Sequence, residues 1–351
     1  MRHHRTLTRL TIGATTAALL AFAVPVAAQS PAASGDAAST RPAWKIAVDI
    51  PRADSDFWTT YAEYIPRFAE ELGIDLTTTN SQNDVQKLVS NAQAVVSQGV
   101  QAIVMAPQDT GAIASTLDSL AAQGIPVVTI DTRPDKGKVF MVVRADNIDL
   151  GEKACQAMGS LVGGAGKVVE IMGGLANVNG RDRHDGFTQC IARDFPGIEI
   201  INIPTEWDPA QAASGLQTAL TQNPDIKGIY TPAGGVFLAA VLQTLRGKDA
   251  LFLVGDPKHI VIVSTDGVPE ELNGIREGTV DATVSQPNDL YAKYGLIYAQ
   301  AALDGKTFQP GPTDHDSTIV DIGNGNLEDQ VPGPLVTRDN VDDPTLWANQ
   351  Q

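Results

Sequence analysis

Residues 102–131 read AIVMAPQDTGAIASTLDSLAAQGIPVVTID. The runs AIVMAP (102–107) and PVVTID (126–131) are short, apolar and rich in β-branched side chains. A strand with no polar face is buried on both sides, as in a parallel sheet covered by helices. Between the two runs Thr110 is placed to cap a helix through Ala122, and Gly124 follows, where a left-handed residue can close it. Strand, helix and strand make one parallel crossover unit.

The unit repeats in both directions. Upstream, KIAVDI (45–50) reads as a strand, Phe57–Leu72 as a helix ending at Gly73, and IDLTTT (74–79) as a strand. Val85, Leu88, Val89, Ala92, Val95 and Val96 then form a helical stripe stopping at Gly99. Downstream a second series begins: helix Leu150–Leu161, strand KVVEIMG (167–173), helix Arg181–Phe195, strand IEIINI (198–203) and helix Pro209–Leu220. It continues with strand IKGIY (226–230), helix Val236–Leu245, strands HIVIVSTD (259–266) and VDATVSQ (280–286) around helix Pro269–Glu277, helix Leu290–Leu303 and strand STIVDIG (317–323). The fold class is therefore α/β, two doubly wound Rossmann-like lobes in tandem with about five strands each. Ligands of such sheets sit beyond the carboxyl ends of the strands, so two lobes place a site in the cleft between them.

Composition agrees with packed lobes: of 351 residues 43% are hydrophobic and 19% charged. A formal charge of −16 with no basic stripe excludes a nucleic-acid partner. His184, His259 and His315 lack metal-ligand spacing, so no metal is expected. No G-x-G-x-x-G follows the first strand, Gly163–Lys167 lacks the P-loop spacing, and no G-x-S-x-G or H-E-x-x-H occurs. No cofactor and no catalysis are expected.

Arg2, Arg5 and Arg9 precede an apolar stretch from Leu10 to Val24 and then Val26-Ala27-Ala28. This is a secretory signal peptide over 1–28, its apolar run shorter than the roughly 20 residues of a membrane span. No Cys sits beside the cleavage site to anchor a lipid, so a soluble protein of the periplasm is expected. Cleavage removes three Arg and no acid, taking the charge to −19. Residues 29–42, low in large apolar groups, read as a flexible lead-in.

Several short motifs recur in a telling order: Asp54-Ser55-Asp56-Phe57-Trp58, Ser81-Gln82-Asn83-Asp84, Val128-Thr129-Ile130-Asp131, Ala145-Asp146-Asn147, Arg181 to Phe187, Ser264-Thr265-Asp266-Gly267 and Ala282 to Gln286. Their order and spacing resemble the periplasmic sugar-binding proteins of ABC importers, the ribose-binding-like type I family, from Lys45 to about Gly323. The ending Leu335–Val341 also looks like that of longer members. The resemblance implies two lobes joined by a three-crossing hinge, with crossings near 145–147, 286–288 and 316–334. The N-terminal lobe is then 43–146 plus 287–316, the C-terminal lobe 147–286 plus 317–340, and 341–351 a tail. Repressors of the same lineage begin with a DNA-binding segment; here an export signal stands in that place.

The resemblance also implies a ligand set. Phe57 and Trp58 from the first lobe and Trp207 from the second would stack on the faces of a sugar ring. Asp131, Asp266, Arg183 and Gln286 would bind its hydroxyls, the arginine fork bridging adjacent ones. Ser55, in the first of the motifs, Arg133 and Ala233 are further candidate contacts. Arg133 either points inward or is solvated, because the family pattern has Arg directly after the aspartate and this chain has Thr132. Ala233 stands where the family commonly has an amide, and Thr265 where an aromatic is frequent, so the guest need not be ribose. Extra sequence at Leu251–Lys258 has no functional account.

Cys155 and Cys190 fall on two helices of the second lobe. In an oxidising compartment such a pair is a disulfide or two inert thiols, and the even count favours the disulfide. The expected function is that of a monomeric receptor that captures a monosaccharide or polyol and delivers it to an ABC permease. The other classes are a receptor for chemotaxis or sensor signalling and an exported sugar-acting enzyme.

Overall fold

A computed structural model describes residues 42–350. The expected signal peptide and residues 29–41 of the lead-in lie outside the described residues. The chain runs β1 (Lys45–Ile50), α1 (Asp56–Leu72), β2 (Asp75–Asn80), α2 (Val85–Ser97), β3 (Ala102–Met105), α3 (Ala114–Ala122), β4 (Val127–Ile130) and β5 (Met141–Arg144). There follow α4 (Asn147–Leu161), β6 (Ala165–Met172), α5 (Val178–Asp194), β7 (Gly197–Pro204), α6 (Pro209–Gln222), β8 (Ile226–Thr231), α7 (Gly234–Gly247) and β9 (Val261–Asp266). The last elements are α8 (Pro269–Glu277), β10 (Ala282–Ser285), α9 (Asn288–Leu303), β11 (Gly311–Pro312), β12 (Thr318–Asp321), β13 (Leu327–Gln330), β14 (Leu335–Val336) and a 3₁₀ turn, Trp347–Asn349.

Two sheets form, in the orders β11-β12-β13-β5-β4-β3-β1-β2 and β14-β10-β9-β8-β6-β7. From β13 to β2 the first is parallel, and the second is parallel apart from β14. Strand alternation divides each core in two. Ile46 and Val48 of β1 pack with α1 and α9 on one face of the first sheet, and Ala47 packs with α2 and α3 on the other. In the second sheet Val169 and Ile171 face α6, α7 and α8, whereas Val168 faces α4 and α5.

Three expectations need correction. Residues 317–330 do not join the C-terminal lobe: Glu328, Asp329 and Gln330 of β13 pair in parallel with Val142, Val143 and Arg144 of β5 in the first sheet. The chain leaves that sheet at 331–334, where Val331 N donates to Arg144 O and Ser285 N donates to Pro334 O. Residues 341–350 are not a tail apart from the lobes, because Val341, Leu346 and Trp347 are buried. The helix expected from Thr110 begins at Ala114, and Thr110 N donates instead to Ala176 O.

Helices α4 and α5 pack closely. A Cβ on Gly151 would come within 2.4 Å of Arg183 O, and one on Gly186 within 2.2 Å of Ile148 O. One turn beyond each glycine stands a cysteine, and Cys155 and Cys190 are joined as a disulfide with Cα atoms 6.1 Å apart. The pair of helices is thus both close-packed and covalently tied, which fixes the origin of the side chains that α5 sends into the cleft.

The extra segment 251–258 is held by Val254 N donating to Gly278 O, and it leaves Leu253 and Val254 exposed. Among the described residues no helix is long and apolar enough to cross a membrane, and no cluster of His, Cys, Asp and Glu is arranged to hold a metal ion.

Candidate functional site

The carboxyl ends of the parallel strands of both sheets meet around one cavity of about 40 Å³. All the expected residues except Arg133 line it: Ser55, Phe57, Trp58, Asp131, Arg183, Trp207, Ala233, Asp266 and Gln286.

Arg183 is the central cation. Its Nε donates to Asn147 Oδ1 at 2.6 Å and its Nη1 to Pro232 O at 2.6 Å. These two acceptors aim the guanidinium between the acids, with Nη2 3.8 Å from Asp131 Oδ1 and Nη1 3.9 Å from Asp266 Oδ1. Asp131 follows β4 with φ 58°, a left-handed conformation that aspartate tolerates better than most residues. Its carboxylate accepts from Thr132 Oγ1 at 2.7 Å and from Asn179 Nδ2 at 2.9 Å. Burial pushes its pKa up, and Arg183 opposes the shift.

Asp266 accepts from Gln286 Nε2 at 2.7 Å and from Gly235 N at 3.1 Å. Burial pushes its pKa up to about 6, with Arg183 and Gln286 holding it down and Asp131 adding to the rise. Gln286 also accepts from the Tyr291 hydroxyl at 3.2 Å, and that hydroxyl accepts from Ala145 N at 2.8 Å. One tyrosine thus ties together two of the chain crossings and the cavity wall.

Phe57 and Trp58 meet edge to face, with centroids 5.2 Å apart. Phe57 also packs edge-on against Tyr291 and Trp347, so it belongs to the first-lobe core as well as to the cavity. Trp207 lies on the second-lobe side, stacked on Phe237 at 6.2 Å. Its φ is 62°, a strained value for an aromatic residue. The indole lies over bare backbone: a Cβ on Gly173 would be 2.2 Å from Trp207 Cη2. Ser55 Oγ and Trp207 Nε1 are buried without a hydrogen-bond partner among the described residues. An unmet buried donor costs about 1–3 kcal/mol, which a hydroxyl-bearing guest could recover.

Arg133 points elsewhere. Its Nη2 is 3.6 Å from Asp182 Oδ2 and its Nη1 3.7 Å from Glu328 Oε2, so its charge is neutralised outside the cavity. Other lining residues went unforeseen: Arg52, Gln108, Asn177, Asn179 and Val236. Asn177 caps α5, accepting from Asn179 N at 2.8 Å, and donates across the cleft to Gln108 O at 3.1 Å. The preference of asparagine for helix N-caps was a usable signal there, but the helix was expected to start only at Arg181.

Comparison with known proteins agrees with this geometry. A family model described as a periplasmic binding protein domain matches residues 46–307. The ribose import binding protein of Escherichia coli is 25% identical over 266 residues, covering 75% of this chain and 86% of the relative. A xylitol-binding protein of Mycolicibacterium smegmatis is 25% identical over 311 residues, covering 88% and 81%. Among solved structures, an ABC transporter solute binding protein from Mycobacterium smegmatis with bound glycerol superposes with a TM-score of 0.73 at 23% identity, covering 86% of this chain and 96% of that one. The arabinose transporter binding protein of Shewanella sp. ANA-3 does so at 0.74 and 20% identity, covering 88% and 96%. At such identities the structural likeness speaks for the fold.

Proposed function

Because the chain belongs to the periplasmic binding protein family, we propose that it captures a monosaccharide or polyol between its lobes and presents it to an ABC transporter permease of the inner membrane. It acts as an exported monomer, by binding and release without catalysis. One observation carries this reading. Arg183 of the second lobe lies between Asp131 of the first and Asp266 of the second, at 3.8 and 3.9 Å. Charged groups of both lobes therefore converge on one cavity.

The mechanism follows from that arrangement. A guest held first by one lobe makes its remaining contacts only when the other lobe closes, and this differential affinity shifts the population to the closed form. The acids accept from guest hydroxyls, Arg183 donates to them, and Trp58 and Trp207 offer flat apolar surface to C–H faces. A missing hydroxyl leaves a buried charge unpaired, which is the basis of selectivity. The carboxylates and the cation offset one another, which suits an uncharged guest.

Thermal-shift screening of the purified protein against D-ribose, D-allose, L-arabinose, xylitol and glycerol tests the reading. A binder at about a hundred times its Kd adds roughly 2.7 kcal/mol of stability and raises Tm. Asp131→Ala and Arg183→Ala should abolish the response. A response that survives both substitutions places the guest elsewhere, and no response to any polyhydroxyl compound overturns the substrate class.

A further inference from the structure

The first two turns of α5 carry two sets of side chains with different destinations. Asn179 and Arg183, four residues apart and so on one helix face, line the cavity. Arg181 and Asp182 reach the first lobe without lining the cavity. Arg181 Nη2 is ion-paired with Asp135 and 3.4 Å from Thr110 Oγ1, while its Nη1 donates to Leu175 O of its own lobe at 2.8 Å. Asp182 Oδ2 accepts from Arg144 Nη2 at 2.9 Å and lies 3.6 Å from Arg133 Nη2. Arg144 is buried, and its Nη2 also donates to Asn179 Oδ1 at 3.0 Å. Beside these pairs, Thr110 N and Thr110 Oγ1 reach Ala176 O at 3.3 and 3.2 Å.

Apart from the bond from Arg181 to Leu175 O, each of these contacts joins the two lobes, and none needs a guest. Each joining contact is lost when the lobes part, so each favours the closed form alone. Asp135, Thr110, Arg133 and Arg144 follow or end strands of the first sheet, whereas Ala176, Arg181 and Asp182 belong to the loop and helix after β6. The structure thus gives Arg181, at the start of the second lobe's helix, partners across the cleft.

We propose that the start of α5 is a clasp that closes the cleft independently of the guest, with Arg181 gripping Asp135 and Thr110 and Asp182 gripping Arg144 and Arg133. The clasp rests on the two-lobe closure of the reading above, but not on the identity of the guest. It sets how much of the free protein is already closed, and so the fraction competent to hold a guest, without touching that guest.

Nitroxide labels on Ser115→Cys in α3 and Gln217→Cys in α6, read by pulsed electron spin resonance on the purified protein without sugar, report closed and open populations directly. Arg181→Ala should lower the closed-to-open ratio by up to about five-fold, the range of an exposed ion pair. Arg181→Ala with Asp182→Asn should lower it by about ten-fold or more, since Arg144 is buried. The exchange Asp135→Arg with Arg181→Asp should return the ratio toward the original, which a merely destabilised fold would not do. A distance distribution that these variants leave unchanged, or one with no short-distance population in the unaltered protein, overturns the clasp. Because no sugar is present, a failed sugar screen leaves this measurement readable.

Discussion

Arg183 Nη2 lies 3.8 Å from Asp131 Oδ1, and the two side chains come from different lobes. Both are buried, so each charge depends on the other. Truncating one partner of a buried charge pair costs about 2–5 kcal/mol, much of it from the charge left behind. Arg183→Ala or Asp131→Ala should therefore weaken sugar binding by at least about 30-fold. Isothermal titration checks this; a change under three-fold removes the pair from the site.

Asp266 gives binding a pH dependence. Its pKa lies near 6 through burial, so below that value the carboxyl gains a proton and ceases to be a charge-assisted acceptor. Affinity should fall as pH drops through about 6, and Asp266→Asn should flatten the profile while lowering affinity at neutral pH. Titrations across this range decide the matter, and a flat profile in the unaltered protein excludes Asp266 from direct contact.

Glu271 is fully buried, and its oxygens accept from Val268 N at 2.7 Å and Thr283 Oγ1 at 2.9 Å. Burial, with the charge of Asp266, pushes its pKa up to about 8. The folded state holds this proton where the unfolded chain has released it, so the contribution to stability is complete below about 4.5 and is lost as pH rises through about 8. Glu271→Gln, which mimics the protonated carboxyl, should remove part of the decline in Tm over that window. An equal decline in both proteins contradicts the assignment.

Reduction of Cys155–Cys190, which closes a separation of 35 residues, should lower unfolding free energy by about 3–4 kcal/mol in the chain-entropy view. Denaturation with and without reductant measures it. Because the bond ties α4 to α5, reduced protein should also bind sugar less tightly, and unchanged stability would contradict the structural role.

Gly173→Ala should act on Trp207 at a distance from the acids. The new methyl would lie 2.2 Å from the indole, which must move. Binding should weaken by about ten-fold, with a shifted tryptophan emission. Unchanged emission would mean that the indole does not rest where the structure places it.

The parallel strands were legible because their apolar runs are uninterrupted: AIVM and VVTI of β3 and β4 could be nothing but buried. The residues at their carboxyl ends were legible for the same reason, since strand ends and cleft are one place in this class of fold. What was missed carries weaker signals. β13, LEDQ, is mostly polar, and its Glu328 and Asp329 are buried only because Arg144, His315, Ser317 and Tyr298 receive them. No pattern of hydrophobicity marks such a strand. Arg133 was ambiguous for a related reason: an arginine near a cleft faces the guest, the solvent or the opposite lobe, and only the acids it meets decide which.

The neighbours Leu346 and Trp347 belong to different bodies. Trp347 sits against Phe57 of α1, where Tyr64 donates to its carbonyl at 3.1 Å, while Leu346 is buried in the second-lobe core. Adjacent Cα atoms stay about 3.8 Å apart whatever the lobes do. Opening cannot be a translation of one lobe away from the other; it has to be a swing whose pivot line passes close to this peptide, so the far rim of the cleft travels widely while the C-terminal segment scarcely stirs.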